Sequence, residues 1–421
     1  MSVFSSFPAY ALTVTASGDT SGLCTQNVSN TTDVTVTRIG GDCIVKFSPT
    51  SAITYTWTRP TGITSFRILL IGGGGGGGSN YGAGGGAGGF VETTTTISTT
   101  NISIYVGLGG QGSYNGTNSS NATNGETTTV TGAAAITAVG GGRGGSADLL
   151  NPGAVGGSGG GGGGTNGSGG SPISGQGNSG GAASYTSASD TVNTGGGGGA
   201  GAAGGSPAVS STAAGGAGGA GKSSDITGSA TYYAGGGGGG THTGASGTCG
   251  TTASGGLGGG GKAGTCKSAT TNTGNAGSSG TNGLGGGGGG GSVFTGRSNS
   301  QAYGGNGGSG VVIIRFLADF TTSINIPTIS GSPYKGISIG ITVTGNTPGR
   351  VRFFISGKRI ANCLSITTSG SFGSVSATCS WKPTVRGNAV ITATIYPSDP
   401  NYLPASSAGN KVFVLNKSST R

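Results

Sequence analysis

Residue types that most often carry acid–base and metal chemistry are scarce in this chain: one His, ten Asp or Glu and six Cys in 421 residues. A Ser/His/Asp relay would have to run through His242, in Gly240-Thr241-His242-Thr243-Gly244. Flexible glycine neighbours there cannot fix an imidazole's geometry, so His242 is expected at the surface. Gly216-x4-Gly221-Lys222-Ser223 matches a phosphate-binding loop, but that chemistry needs a buried strand before the loop and an amphipathic helix after it. Neither is legible around it. The cysteines form three sequence-local pairs, Cys24 with Cys43, Cys249 with Cys266 and Cys363 with Cys379, spaced 19, 17 and 16 apart. Local disulfides are the simplest reading, each closing a loop for about 3 kcal/mol, and they imply an oxidising, extracellular setting. A metal site is not expected, because no pair has the Cys-x2-Cys spacing and a single His cannot complete a ligand set. No cofactor or catalytic residue is expected.

The elements that must position these residues are unevenly built. Glycine accounts for 103 residues in all, and 88 of them fall in the 239 residues from 72 to 310. Before that segment the pattern is period-2 and β-branched: Leu12, Val14, Ala16; Val34, Val36; Cys43, Val45, Phe47; Tyr55, Trp57; Phe66, Ile68, Leu70. Residues 1–11 end in Ala9-Tyr10-Ala11 and resemble the tail of a signal peptide or, equally, a first strand. The expected layout is residues 1–11 as that remnant, 12–63 as an N-terminal β region, 64–318 as a glycine-rich domain and 319–421 as a β-sandwich. The fold class is all-β.

Within the middle segment, glycine runs at 72–78, 159–164, 195–199, 235–240, 258–261 and 285–291 are separated by uneven Ser/Thr/Asn/Ala stretches. Collagen is excluded by the missing Gly-X-Y register. A flexible linker fits the composition, but strand-like inserts at Phe90-Val91, 102–106 and 130–139, and an internal Cys pair, argue for order. Apolar strands at 66–71 and 311–316 are expected to pair and close the segment. Polyglycine-II-like helices, three residues per turn and about 3.1 Å per residue, would satisfy the backbone by bonding laterally to one another.

Past Asn325 alternation returns: Ile337, Ile339, Ile341, Val343; Val351, Phe353, Ile355; Val375, Ala377, Cys379, Trp381; Ile391, Ala393, Ile395; and a last strand at 411–415. Such spacing predicts an antiparallel sandwich. Residues 320–421 hold ten Lys or Arg against one acid, Asp399, which is +9 of the chain's net +10. Arg350 and Arg352 share the face opposite Val351 and Phe353, with Lys358 and Arg359 at the next turn, which reads either as a solvated polar face or as a contact face for an anionic surface polymer, a glycan or an acidic neighbouring subunit. Nucleic acid is not expected, since no aromatics are interleaved with the basic residues. No apolar run approaches the 18 or more residues of a membrane helix.

The stretch from Gly349 to Ile360, Ala377-Thr-Cys-Ser-Trp381, and Ile391-Thr-Ala-Thr-Ile-Tyr-Pro-Ser-Asp-Pro-Asn-Tyr402 together resemble the bacterial Ig-like repeats of secreted proteins. The entry Thr64-Ser-Phe-Arg-Ile-Leu-Leu-Ile71 and the exit Gly304-Gly-Asn-Gly-Gly-Ser-Gly-Val-Val-Ile-Ile-Arg-Phe316 resemble the glycine-rich domain of actinobacterial-type surface proteins. Phage tail adhesins with polyglycine-II sandwiches are more distantly similar. These resemblances imply a non-enzymatic structural or adhesive surface protein, and low charge, open sheet edges in the N-terminal β region and laterally bonding glycine helices point to self-association into a fibre or layer. A phage receptor-binding tip built from Tyr185, Tyr232, Tyr233 and the loop from Cys249 to Cys266 is one alternative, and a carbohydrate-binding module is another. Asn115, Asn118 and Asn121 head glycosylation sequons.

Overall fold

The computed structural model describes residues 12–17, 24–60, 63–114, 122–132, 135–147, 152–243, 248–266, 276–294, 302–318, 322–371, 373–398 and 402–416, with the side chains of residues 213, 248, 249 and 294 excluded. The start of the chain up to residue 11 and the three sequons therefore lie outside the described residues. Among the described residues there is no α-helix, only one 3-10 turn at Ala361–Cys363, so the molecule is all-β. Two compact units emerge: the described residues up to Thr37 with Cys43–Phe316, and Arg38–Asp42 with Leu317 onward. The N-terminal strands thus belong to the same unit as the glycine segment.

In the first unit, a six-stranded sheet runs in the order Leu12–Thr15, Thr25–Val28, Thr54–Thr58, Asn101–Tyr105, Thr128–Thr131, Ala135–Ala138. A second sheet runs Val34–Ile39, Asp42–Phe47, Val311–Leu317, Ser65–Ile71, Phe90–Thr96. Aromatic rings from both fill the space between them: Trp57 lies 5.5 Å from Phe66 and 6.1 Å from Phe316, and Phe47 lies 5.1 Å from Tyr55. Trp57 stays satisfied there because its indole N–H donates to Gln26 Oε1 at 3.0 Å. The disulfide from Cys24, just before Thr25–Val28, to Cys43 ties the two sheets, with Cα atoms 5.5 Å apart. The outer face of the second sheet is covered as well, since Leu69, Ile71, Val311 and Ile313 pack with Ile226 and Tyr233. Burial on both faces explains why 68–71 and 311–314 read as unbroken apolar runs. The entry and exit strands do pair, antiparallel, with Leu70 opposite Val312.

Where Ser65–Ile71 ends, the chain enters residues 72–78, all of them buried. With no side chains to pack, this run can be held only by its peptide groups. Their partners repeat every third residue. Gly72, Gly75 and Gly78 donate to the carbonyls of Gly89, Gly86 and Ala83; Gly73 and Gly76 to Glu126 and Thr123; Gly74 and Gly77 to Gly308 and Gly305, all at 2.8–3.0 Å. The carbonyls follow the same rule: Gly73 and Gly76 accept from Gly141 and Gly144, Gly74 and Gly77 from Gly110 and Ser113, Gly75 and Gly78 from Gly288 and Gly291. Six segments therefore surround one run. Three of them run against it and three along it, because the first set of partner numbers descends while the second ascends.

Residues 82–89 behave alike, donating to 285–291 (Gly82, Gly85, Gly88), to 139–145 (Ala83, Gly86, Gly89) and to 195–198 (Gly84, Ala87). Such close bonding leaves no room at most positions. A Cβ on Gly75 would run into the carbonyl of Gly142, and one on Gly76 into that of Gln111. Two alanines in the 82–89 run, Ala83 and Ala87, are nonetheless accommodated and completely buried.

The second unit is a two-sheet antiparallel sandwich. One sheet orders Thr328–Ile329, Ile339–Gly345, Ser374–Trp381, Ser369–Ser371; the other orders Lys358–Arg359, Gly349–Ile355, Gly387–Pro397, Ala405–Ser406, with Asn410–Val414 also on Gly387–Pro397. Most of the alternating residues anticipated above are the core: Ile341, Val343, Cys379 and Trp381 from one sheet meet Val351, Phe353, Ile391 and Ile395 from the other, whereas Ile337 precedes its strand and is exposed. A disulfide joins Cys363 to Cys379, Cα atoms 5.8 Å apart.

Candidate functional site

The basic groove of the sandwich unit begins at a tight turn. Strands Gly349–Ile355 and Lys358–Arg359 are joined through Ser356 and Gly357, with φ of 43° and 80°. Positive φ at both central residues is the hairpin turn whose twist matches its strands, and Gly357 takes it without strain. Ser356 is held in it by donating its N–H to Val390 O at 2.7 Å. Lys358 and Arg359 are thereby fixed at the rim. Across from them, Ser374–Trp381 gives way to Lys382-Pro383-Thr384-Val385-Arg386 before Gly387–Pro397 begins. Pro383 cannot donate to a ladder, and its carbonyl accepts from Gly336 N at 2.8 Å.

Between the two rims lies a groove of about 720 Å³, lined by Lys358, Arg359, Lys382 and Arg386 together with Asn362, Trp381, Thr384 and Asn388. All four cations are exposed, and Arg386 lies 6.0 Å from the Phe413 ring. None of the four meets a carboxylate among the described residues, and the one acid beyond residue 319, Asp399, falls outside them. A concave lining whose charged groups are all cations concentrates anions.

The anticipated basic face is split. Lys358 and Arg359 reach the groove, whereas Arg350 donates to Ser365 Oγ at 3.3 Å and Arg352 stacks 4.4 Å from the Tyr396 ring. Lys382 and Arg386 were not singled out from sequence. Their only signal is two cations in a five-residue connection, and strand pairing alone brings that connection opposite the 356–357 turn.

In the first unit several ionisable groups tie side chains to one another or to the backbone. Arg67 bonds both Glu92 and Asp225, whose carboxyl it holds below the ordinary range. Tyr105 donates its hydroxyl to Glu126, which with burial pushes the phenol up to about 12, and the same carboxylate accepts from Leu108 N at 3.1 Å. His242 is a correction to its expected surface position: it is only 7% exposed, in strand Thr241–Thr243, its ring 4.6 Å from Tyr81, and burial lowers its pKa. The strand pairs Thr191–Asn193 on one side and Val293–Phe294 on the other, so fixed neighbours replace the flexible ones that the glycines suggested. Lys222, in the phosphate-loop match, begins a hairpin strand, Lys222–Ser224, and lies 5.1 Å from the Phe90 ring. Two of the three anticipated disulfides are formed as paired above; the third involves Cys249, whose side chain is outside the described residues.

A two-sheet aromatic core opening into glycine runs that bond in six directions defines a glycine-rich β protein. The family model for the glycine-rich domain matches residues 50–317, and the chain belongs to that family. No curated protein matches it. Among solved structures, the CARDB domain of a Pyrococcus furiosus protein in complex with di-metal ions is similar at 17% identity, over 23% of this chain and 94% of that one, with a TM-score of 0.18.

Proposed function

We propose that this chain is a non-enzymatic, extracellular structural and adhesive protein: a polyglycine-II core that self-associates into a fibre or layer, carrying an Ig-like sandwich. What carries the reading is the three-residue repeat of hydrogen-bond direction along residues 72–78, with donors and acceptors shared among six neighbouring segments. Three residues per turn with every peptide group pointing outward is the polyglycine-II arrangement, and its rigidity suits a scaffold. An extracellular setting is supported by the two disulfides. No helix among the described residues is long and apolar enough to cross a membrane. A non-catalytic role is supported by how the carboxylates are used, Glu92, Asp225 and Glu126 all being tied to Arg67, Tyr105 or backbone.

Negative-stain electron microscopy with light scattering, on the oxidised protein over a range of concentrations, tests the assembly. Regular fibres or mass rising with concentration are expected. Monodisperse monomers at every concentration would sink the assembling part of the proposal.

A further inference from the structure

The groove of the sandwich unit has a lining that narrows its ligand. Four exposed cations, two on each rim, stand around about 720 Å³ without a carboxylate partner among the described residues. That volume is in the range of small-ligand sites, enough for a short stretch of a polymer. Between the cations the walls are neutral, mixing hydroxyl- and amide-bearing side chains such as Ser338, Ser356, Asn362, Thr384 and Asn388 with apolar ones such as Ile360 and Val385, against which the C–H faces of sugar rings can lie. The one tryptophan there, Trp381, is 8% exposed and belongs to the core, so no ring face is offered to a nucleobase. Cations spaced along a groove with hydroxyl partners between them match a chain in which anions and hydroxyls recur together.

We propose that this groove binds a linear acidic polysaccharide, its carboxylate or sulfate groups held by Lys358, Arg359, Lys382 and Arg386 and its sugar hydroxyls by the neutral side chains between. This rests on the extracellular reading above and gives the adhesive role a ligand class. Arg350 and Arg352 take no part, being outside the lining.

The test uses the oxidised full chain with polygalacturonate and heparin as probes, neutral dextran as the blank, and vesicles containing anionic phospholipid as competitor. Two variants remove equal charge: Lys382→Gln with Arg386→Gln in the groove, and Arg350→Gln with Arg352→Gln outside it. The groove variant is expected to lose at least about tenfold in affinity and the other less than about twofold, with Arg386→Lys retaining most of the binding. Lys358→Gln with Arg359→Gln, on the exposed hairpin, repeats the test should the first pair unfold. Equal losses in the two charge-matched variants would overturn the proposal in favour of diffuse attraction. So would absence of polyanion binding near 0.1 M salt, or vesicle binding that polygalacturonate does not displace. Assembly without polysaccharide binding would defeat this proposal alone, whereas binding by a strictly monomeric protein would uphold it and defeat the assembling scaffold.

Discussion

A glycine in this protein is replaceable or not according to what lies where its Cβ would be. At Gly75 the space is filled by the carbonyl of Gly142, whose own partners are fixed, so Gly75→Ala should cost about 3 kcal/mol, the upper end for overpacking a close-packed interior. Gly331 has nothing within 4 Å, and Gly331→Ala should change stability by less than about 0.5 kcal/mol. Denaturant midpoints of the two variants give the comparison, and equal effects would mean that the run is not tightly bonded. His242 makes a second prediction at this scale. Burial lowers its pKa in the folded state, so the unfolded chain takes up its proton first as pH falls. Stability should therefore be constant above the ordinary histidine range and decline as pH drops below about 6.5. Chemical denaturation of the parent and of His242→Gln at pH 7.5 and 5 should show that part of the decline missing from the variant.

The longer strands were legible in the sequence where apolar side chains alternate or run on, whereas short polar strands such as Thr25–Val28, Thr191–Asn193 and Thr241–Thr243 were not, because threonine and asparagine do not report burial. Val351, Phe353 and Ile355 mark Gly349–Ile355, and Phe66, Ile68 and Leu70 mark Ser65–Ile71, because each side chain reports which face its strand buries. Glycine runs report nothing of the kind. Their positions are obvious, but the identity of the six neighbours around 72–78 depends on peptide groups that every residue shares, so which run bonds to which could not be read. The groove was half legible for a related reason. Lys358 and Arg359 follow a recognisable strand and turn, while Lys382 and Arg386 become their neighbours only through the pairing of Gly349–Ile355 with Gly387–Pro397. At the level of elements, the disulfide from Cys24 to Cys43 joins the two sheets of the first unit at a sequence separation of 19. Replacing both cysteines by serine should destabilise that unit by about 3 kcal/mol, measured as a lowered denaturation midpoint relative to the parent with both proteins oxidised.

Taken as a whole, the molecule joins two units of unequal charge. From 320 onward the chain carries ten cations and one acid, whereas the remainder is within one charge of neutral. Added salt screens self-repulsion only where there is net charge to repel. Calorimetry should resolve two unfolding transitions, with moderate sodium chloride raising the one that belongs to the sandwich and leaving the glycine-rich one in place; a single transition moving as one would contradict the division into units. The bonding around residues 72–78 also has a mechanical meaning. A β-sheet pulled from its edge unzips one bond at a time, since all its hydrogen bonds lie in one plane. A strand tied to neighbours on every side has no edge from which to be peeled, and loading it in any direction shears several rows of bonds at once. The glycine-rich unit should therefore yield late and abruptly under tension, as a member that bears load from whatever direction it is pulled.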